Sequence, residues 1–287
     1  MLPILVLGLI AASTGAATTS FLLVRHRADT GAPQVPHQPS PSTQGQSPNV
    51  SSEGAHDPAK ESVVVLPVAA VILAVAVVLI SVLILMIERH IGLERWDNSV
   101  ESWAARHASA TSTNFIEAIT HLGDTLTVLL VSVATAIYAY ARTRRLGIPA
   151  FLLVVVVGQW VLANVIKLTV ARARPDLDPL ASFSGSSFPS GHSTAAAATY
   201  LAVALVLGVF VHRRGQALFM GIGVAIAVAV ACSRALLGVH WLTDVVGGLI
   251  LGWSWFALCS VTFGGRRFAF GAGVRDIERG LHEDTLR

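Results

Sequence analysis

The chain has 287 residues, of which 53% are hydrophobic and only 13% are charged. A soluble globular domain carries about 25% charged residues, so this composition argues against a soluble protein and predicts a helical membrane protein. The formal net charge of +3 is small, and the arginines are scattered between apolar runs, which argues against a nucleic-acid partner. Cys232 and Cys259 lie in apolar runs without metal-ligand spacing, so both are expected to be small buried side chains.

The first 62 residues differ in composition from the rest of the chain. Residues 1–24 are apolar, have no basic segment before the apolar run and are followed by the sequence RHR. This pattern fits a membrane anchor with its N-terminus outside better than a secretory signal peptide. Residues 25–62 are rich in Pro, Ser, Gln and Gly. Such a segment cannot bury a core, so it is predicted to be a disordered linker.

Six further apolar runs approach the roughly 20 residues that a helix needs to cross a bilayer. They are residues 63–87, 125–141, 146–166, 193–211, 215–233 and 245–265. The expected fold is therefore all-α: a polytopic membrane helix bundle with a six-helix core at 63–265, one extra N-terminal helix at 1–24 and a cytoplasmic tail at 266–287. Between the first two core runs, apolar residues recur at helical spacing among polar ones. This predicts a helix along the membrane surface, broken near residues 109–113.

Basic residues predict how the bundle is oriented. Arginines cluster at 142–145, at 212–215 and at 264–267, and these three sites fall on one side of a six-helix bundle. The positive-inside rule makes that side the cytoplasm. The loop between the third and fourth core helices and the loop between the fifth and sixth then both face outward, so their residues can converge on one site.

These two outward loops carry cations at the membrane edge, where ionisable residues are costly and usually functional. Lys167, Arg174 and Arg234 form the set, with Arg172 as a candidate fourth member. Lys167 and Arg174 are two helical turns apart and share a face if the helix continues that far. Arginine presents a planar fork of donors that matches phosphate oxygens. Alternatively, basic side chains at helix ends extend toward lipid headgroups and have no further role.

His240 and Asp244 have the spacing i, i+4. They share one face if the sixth core helix begins before His240. A carboxylate that accepts a hydrogen bond from one ring nitrogen leaves the other nitrogen free as a nucleophile or base. The alternative is an interfacial histidine next to an aspartate that stabilises a helix N-terminus through the helix dipole.

The segment SFPSGHS, residues 187–193, interrupts the apolar sequence before a helix that is predicted to begin near Ser193. Pro189 and Ser190 suit a helix entry, and one interpretation is that the segment is nothing more. A helix N-terminus also offers free N–H groups to an anion. Gly191 allows close approach of the backbone, and His192 can carry a proton near neutral pH; a helix cap requires neither.

Together the three segments resemble the three-part signature of the type 2 phosphatidic acid phosphatase and vanadium haloperoxidase superfamily. The first part is Lys167, six residues and then Arg174–Pro175; the second is 189–192; the third is 233–244, with Arg234, His240 and Asp244 at the expected spacing. Each part alone is weakly specific, but all three occur in order and without substitution in the two outward loops. The resemblance covers about 63–265 and leaves out the N-terminal segment, the linker and the tail.

The resemblance implies a phosphatase without metal or cofactor that acts on a lipid phosphate or diphosphate among membrane lipids, at the outer face of the cell membrane. It implies that His240 attacks phosphorus to form a phosphohistidine and that Asp244 orients His240. It also implies that His192 protonates the leaving group and then activates water. The phosphate-binding residues implied in the same way are Lys167, Arg174, Ser190, Gly191 and Arg234.

Two other functions are compatible with the same residues. A vanadate-dependent haloperoxidase would use His240 to bind vanadate, although six membrane helices argue against it because the comparable haloperoxidases are soluble. A halide-oxidation assay with vanadate and peroxide separates the two enzymes. A membrane protein that only binds lipid headgroups would have the same cations but no turnover, and a phosphorylated His240 would exclude it.

Overall fold

The computed structural model describes residues 58–175 and 185–263, with side chains from residue 67 onward. These residues form helices and connecting turns but no strand, which confirms the expected all-α fold. The eight α-helices are α1 (Pro58–Arg89), α2 (Asp97–His107), α3 (Ala110–Thr120), α4 (Thr125–Thr143), α5 (Gly147–Val170), α6 (Gly191–Gly208), α7 (Arg213–Leu236) and α8 (Leu242–Phe263). The predicted N-terminal helix and the predicted tail lie outside the described residues.

Six of these helices are long and apolar enough to cross a membrane, namely α4 to α8 and the part of α1 from Pro67 to Arg89. Their outer faces expose large aliphatic side chains such as Val71, Leu126 and Leu153. A helix that is apolar on its outer face as well as its inner one suits lipid surroundings. The predicted six-helix membrane bundle is therefore confirmed. Its first helix begins at Pro58, inside the segment predicted to be linker.

The segment between the first two membrane helices forms two short helices, as its periodicity predicts. The break falls at Ala108 and Ser109. Ser109 then starts α3 with a capping box, because its side chain accepts from the backbone N–H of Ser112 and the Ser112 side chain accepts from the N–H of Ser109. Trp96 and Trp103 are exposed on this segment. Exposed tryptophans are typical of helices that lie at a membrane interface.

Helix α6 lies at the centre of the bundle. It packs against α4, α5, α7 and α8, and its alanines 195–198 are all buried. The contact with α8 is the tightest: a Cβ at Gly248 would lie 2.7 Å from the carbonyl oxygen of Ser190, and a Cβ at Gly252 would lie 2.5 Å from that of Thr194. Small residues let two helix backbones approach closely in a membrane. This contact holds the N-terminus of α6 against the N-terminal half of α8.

The two ends of the bundle are chemically different. At one end Tyr138 packs edge-on against Phe210 with ring centroids 5.3 Å apart, and the Arg142 guanidinium lies over the Phe210 ring. The α4–α5 and α6–α7 connections therefore meet there, as the basic clusters predict. Lys167 and the segment that enters α6 are at the opposite end, where the Lys167 ammonium donates to the carbonyl oxygen of Ser186.

The two cysteines differ in burial. Cys259 on α8 is buried, as expected, but Cys232 on α7 is exposed. The expectation for Cys232 is wrong because α7 packs against the bundle through one face, whereas α8 is enclosed by α1, α5 and α6. An apolar sequence run by itself does not distinguish a lipid-facing position from a protein-facing one.

Substituting Gly252 by Ala should destabilise the bundle. The added methyl group would overlap the Thr194 carbonyl and the Ala197 side chain, and overpacking of this kind costs about 1–3 kcal/mol. Thermal unfolding in detergent should show a Tm several degrees lower. Gly221→Ala is the matched control, because nothing lies within 4 Å of a Cβ there and alanine is the better helix former by about 1 kcal/mol. Equal Tm values for the two variants would contradict the packing argument.

Candidate active site

The first motif reaches the site through a turn and not through a longer helix. Helix α5 ends at Val170, and Ala171 adopts a left-handed conformation with φ of 47°. The helix does not continue as far as Arg174, so Lys167 and Arg174 do not share a helix face, because the left-handed residue turns the chain away from the helix axis. Both side chains still meet at the carbonyl oxygen of Ser186, at 2.8 Å from Lys167 Nζ and 3.4 Å from Arg174 Nη2.

The third motif also differs in local structure from its prediction. Helix α8 begins at Leu242, so His240 precedes the helix and does not lie on its face. The pairing nevertheless forms: His240 Nδ1 lies 3.5 Å from Asp244 Oδ2. The reason is a turn in which the same carboxylate accepts from the backbone N–H of Trp241 at 2.9 Å. This turn folds the His240 ring back over the first turn of α8.

Asp244 is fully buried and is surrounded by donors. Arg172 Nη1 donates to it at 2.7 Å, and the hydroxyl group of Ser187 donates to its second oxygen. Burying a carboxylate is costly unless it is paired and hydrogen-bonded, and these groups satisfy both requirements. Asp244 therefore stays ionised and fixed in position beside His240.

Arg172 does not join the other cations, although the sequence makes it a candidate fourth member. Its second guanidinium nitrogen donates at 2.8 Å to Asp97, which is buried in the first turn of α2. Asp97 also accepts from the backbone N–H and the hydroxyl of Thr243, at 2.9 and 2.6 Å. Arg172 thus lies between two carboxylates, Asp97 and Asp244, and its charge is used to hold them. Sequence reasoning missed Asp97, whose only local signal is an acidic residue at a helix start.

The ring of His240 presents a nitrogen lone pair to the cations. Arg174 Nη1 donates to His240 Nε2 at 3.3 Å, which requires that Nε2 carry no proton and that the ring proton be on Nδ1, toward Asp244. Burial lowers the pKa of His240 to about 4; the cations Arg174 and Arg234 add to this shift, whereas Asp244 opposes it. At neutral pH the imidazole is therefore uncharged, and its Nε2 lone pair accepts from Arg174.

The second motif starts α6. Ser190 is its N-cap, and the hydroxyl oxygen of Ser190 accepts from Ser193 N at 3.4 Å and from Ser193 Oγ at 2.9 Å. The cap interpretation of Ser190 therefore holds, and its own O–H remains available as a donor. The backbone at Gly191 faces the Lys167 side chain, whose Cε would lie 4.0 Å from a Cβ at that position. The first residue of α6 thus lies beside the Lys167 side chain.

His192 is paired with a carboxylate that sequence reasoning missed. His192 Nε2 lies 2.8 Å from Asp124 Oδ1, and the other oxygen of Asp124 lies 2.8 Å from His121 Nδ1. Partial burial alone would raise the pKa of Asp124, but the hydrogen bonds to His121 and His192 outweigh it and hold that pKa below its ordinary value. Gly123 makes the approach possible, since a Cβ there would lie 3.0 Å from His192 Cβ.

Arg234 completes the group from the end of α7. Its side chain is 7% exposed, and its Nη1 donates to Thr120 Oγ1 at 3.1 Å. Among the residues that the structure describes, none accepts a hydrogen bond from its buried Nε. A buried donor without an acceptor costs free energy, so an anion that supplied an oxygen there would be bound favourably.

A cavity of about 520 Å³ opens beside this group, between α4, α5 and α6. Its walls are mainly apolar, with Val128 and Leu129 on one side and Val156 and Trp160 on the other. One end is formed by Lys167, Gly191 and His192. Neither His240 nor Arg174 is among the residues that line this cavity. The arrangement places a polar, cationic end on an apolar groove that runs between membrane helices.

Comparison with known proteins identifies a family to which this chain is similar. Residues 147–268, which contain α5 to α8 and all three motifs, match the family described as the PAP2 superfamily. A crystal structure of a transmembrane PAP2-type phosphatidylglycerolphosphate phosphatase from Bacillus subtilis superposes with a TM-score of 0.61 and 30% sequence identity. The superposition covers 65% of this chain and 93% of that one.

Two curated relatives carry phosphatase names. Phosphatidylglycerophosphatase B of Bacillus subtilis is 40% identical over 140 residues, which are 47% of this chain and 66% of that protein. Lipid A 1-phosphatase of Rhizobium johnstonii is 32% identical over 171 residues, which are 49% of this chain and 66% of that protein. The chain thus spans just under two thirds of the length of each of these relatives.

The environment of His240 predicts an unusual titration. Because the pKa of His240 is lowered to about 4, the imidazole should remain neutral from pH 8 down to about pH 5, whereas an exposed histidine protonates around pH 6.5. Nitrogen-15 NMR of histidine-labelled protein in phosphate-free detergent buffer measures this directly. The His240 signal is identified by its loss in His240→Asn. A midpoint at or above 6.5 would contradict the buried, cation-flanked environment.

Proposed function

This chain belongs to the PAP2 superfamily of membrane lipid phosphatases, and we propose that it hydrolyses a lipid phosphate monoester or diphosphate through a phosphohistidine on His240, at the outer face of the cell membrane. The observation that carries the proposal is the neutral ring of His240. Its Nε2 lone pair faces Arg174, which donates to it at 3.3 Å, and the buried Asp244 lies 3.5 Å from its other nitrogen. A nucleophile, its orienting carboxylate and a cationic binding region are the parts that such a reaction needs.

In the first step, His240 Nε2 attacks phosphorus in line with the leaving oxygen. The N–P bond forms as the P–O bond to the lipid breaks, and His192 gives its proton to the departing oxygen. The Arg174 N–H that donates to Nε2 in the free protein then donates to a phosphoryl oxygen instead. As positive charge grows on the His240 ring, its Nδ1–H contact to Asp244 should shorten from 3.5 Å, since charge-assisted hydrogen bonds are shorter.

In the second step, water attacks the phosphohistidine. Neutral His192 accepts a proton from the water as the O–P bond forms and the N–P bond breaks, so inorganic phosphate leaves and both histidines return to their starting states. Lys167, Arg174 and Arg234 stabilise the negative charge on the phosphoryl oxygens in both steps, together with Ser190 and the N–H of Gly191. No step in this scheme uses a metal ion, because these cations supply the positive charge.

The apolar groove supports a lipid substrate. It leads from Lys167 and His192 along α4 and α5, whose outer faces expose large apolar side chains. A phosphate bound at the cationic end would leave its hydrocarbon tail in the groove, where burial is favourable by about 0.8 kcal/mol per CH₂. The outward orientation follows from the arginine clusters at the opposite end of the bundle.

The mechanism is tested with purified protein, a panel of lipid phosphates and diphosphates, and a chelator present throughout. Hydrolysis should persist with the chelator, and the phosphorylated protein trapped by rapid acid-free quenching should be stable to base and labile to acid. His240→Asn should lose at least about a thousandfold in kcat and all phosphoprotein, because the nucleophile is gone.

His212→Asn is the matched control, since His212 precedes α7 at the other end of the bundle. That variant should keep wild-type rates. Hydrolysis that stops on chelation, or a His240→Asn protein that still hydrolyses the panel, would rule out the proposed mechanism.

Binding of the lipid tail in the groove is tested separately. Val157→Trp should narrow it, because Val157 lines the cavity and is 49% exposed, so the larger ring can be accommodated without unfolding the helix. KM for a long-chain lipid phosphate should rise at least about tenfold, as expected when several CH₂ groups lose their contacts, while hydrolysis of a short-chain soluble phosphate stays unchanged. Leu218→Trp, on exposed α7 surface away from the groove, should change neither. Equal effects on long and short substrates would argue against tail binding here.

A further inference from the structure

Asp124 lies outside the three motifs and is in direct contact with one of their residues. It sits between the turn that follows α3 and the start of α4. Its carboxylate bridges two imidazoles: Oδ1 is 2.8 Å from His192 Nε2, and Oδ2 is 2.8 Å from His121 Nδ1. His192 is mostly enclosed, with 29% of its side chain exposed, whereas the His121 side chain is 68% exposed.

Ionisable side chains from several elements surround His192. Arg234 from α7 acts on it electrostatically, and Lys167 from α5 lines the same end of the cavity. The third ionisable neighbour is His121 from the turn after α3, and Asp124 is the fourth. A histidine that must donate a proton needs to hold that proton among these cations. The carboxylate of Asp124 opposes them at hydrogen-bond distance.

We propose that Asp124 is a positioning residue for the acid–base step: it holds the His192 ring with Nε2 on the carboxylate and Nδ1 toward the leaving oxygen, and it stabilises the protonated ring until the lipid departs. This rests on the function proposed above, in which His192 is the acid. The geometry fixes the assignment of the two nitrogens, because Nε2 is already engaged by Asp124. Nδ1 is then the nitrogen that exchanges the proton with substrate.

The proton balance follows directly. The His192 ring begins protonated on both nitrogens, and its Nδ1 proton goes to the leaving oxygen as the P–O bond breaks. The neutral ring keeps its proton on Nε2, hydrogen-bonded to the Asp124 carboxylate. Nδ1 is then unprotonated and accepts the proton of the attacking water. Asp124 remains ionised throughout. His121 acts on the far oxygen of the carboxylate, where its hydrogen bond keeps Oδ1 turned toward His192.

Asp124→Asn tests the proposal because it keeps the size of the side chain and removes its charge. For a long-chain alkyl phosphate, whose leaving alkoxide needs a proton, kcat should fall about 10- to 100-fold, a part of the 10²–10⁴ that a general acid–base group contributes. KM should change little. The basic limb of the kcat profile should move to lower pH by about one unit, since a nearby opposite charge favours the protonated ring by at least that much.

Comparing two substrates whose leaving groups differ in their need for a proton distinguishes a role in proton transfer from a purely structural role. Nitrophenyl phosphate releases a phenolate that needs no proton, so formation of the phosphoenzyme from it should be nearly as fast in Asp124→Asn as in the wild type. Asp124→Glu, which restores the charge, should recover part of the lost rate on the alkyl phosphate. His121→Gln should lose less than Asp124→Asn.

Glu94→Gln is the matched control, because Glu94 also pairs with an outer histidine, His90, at 2.9 Å but does so away from the cavity. It should behave as wild type. The proposal is overturned if Asp124→Asn keeps the wild-type rate and pH profile on the alkyl phosphate. It is also overturned if that variant loses the same factor on both substrates or gains nothing from Asp124→Glu. A wild-type protein without metal-independent hydrolysis or phosphoenzyme would instead overturn the function on which the proposal rests.

Discussion

The buried carboxylate of Asp244 is the interaction on which the rest of the site depends. It has no exposed surface, so it stays charged only if every surrounding group donates to it. Its donors come from separate parts of the chain: Arg172 from the turn after α5, Ser187 from the segment before α6, and Trp241 from the turn before α8. In addition, its backbone carbonyl accepts from Ser190 N at 3.0 Å. Satisfying one carboxylate thus joins the three motif segments at one end of the bundle.

The segment of α2 and α3 supplies a second layer of support for the same residues. Asp97 holds the far side of Arg172, Thr120 accepts from Arg234, and Asp124 contacts His192. The carbonyl of Leu122 also accepts from the Tyr200 hydroxyl on α6. Each group that a phosphate would meet is therefore oriented by a partner behind it, which limits its motion to the direction of the substrate. The segment between the first two membrane helices therefore supports the site through these contacts.

The cations of the site differ in what they are paired with. Arg172 is neutralised by two carboxylates, whereas Lys167 and Arg234 donate to neutral oxygens of Ser186 and Thr120. In the described part of the chain, neither of these two cations donates to a carboxylate, so each can still attract an anion, in surroundings where charges interact more strongly than in water. Burial is the main cause of the lowered pKa of His240, and the nearby cations add to it. The two histidines are paired with different carboxylates, Asp244 for His240 and Asp124 for His192.

The sequence by itself determined the all-α membrane bundle, the interfacial helices with their break, and the three motif segments, because run length and periodicity are local properties of the chain. Tertiary structure decided the pairings between distant residues. Arg172 meets Asp97 across 75 positions, and His192 meets Asp124 across 68; no local pattern encodes either contact. The left-handed Ala171 and the start of α8 at Leu242 changed the expected helix faces, since the buried charges had to be satisfied first. The residues proposed to bind phosphate could therefore be named from motif spacing, whereas the residues that contact them from behind depend on how the turns pack.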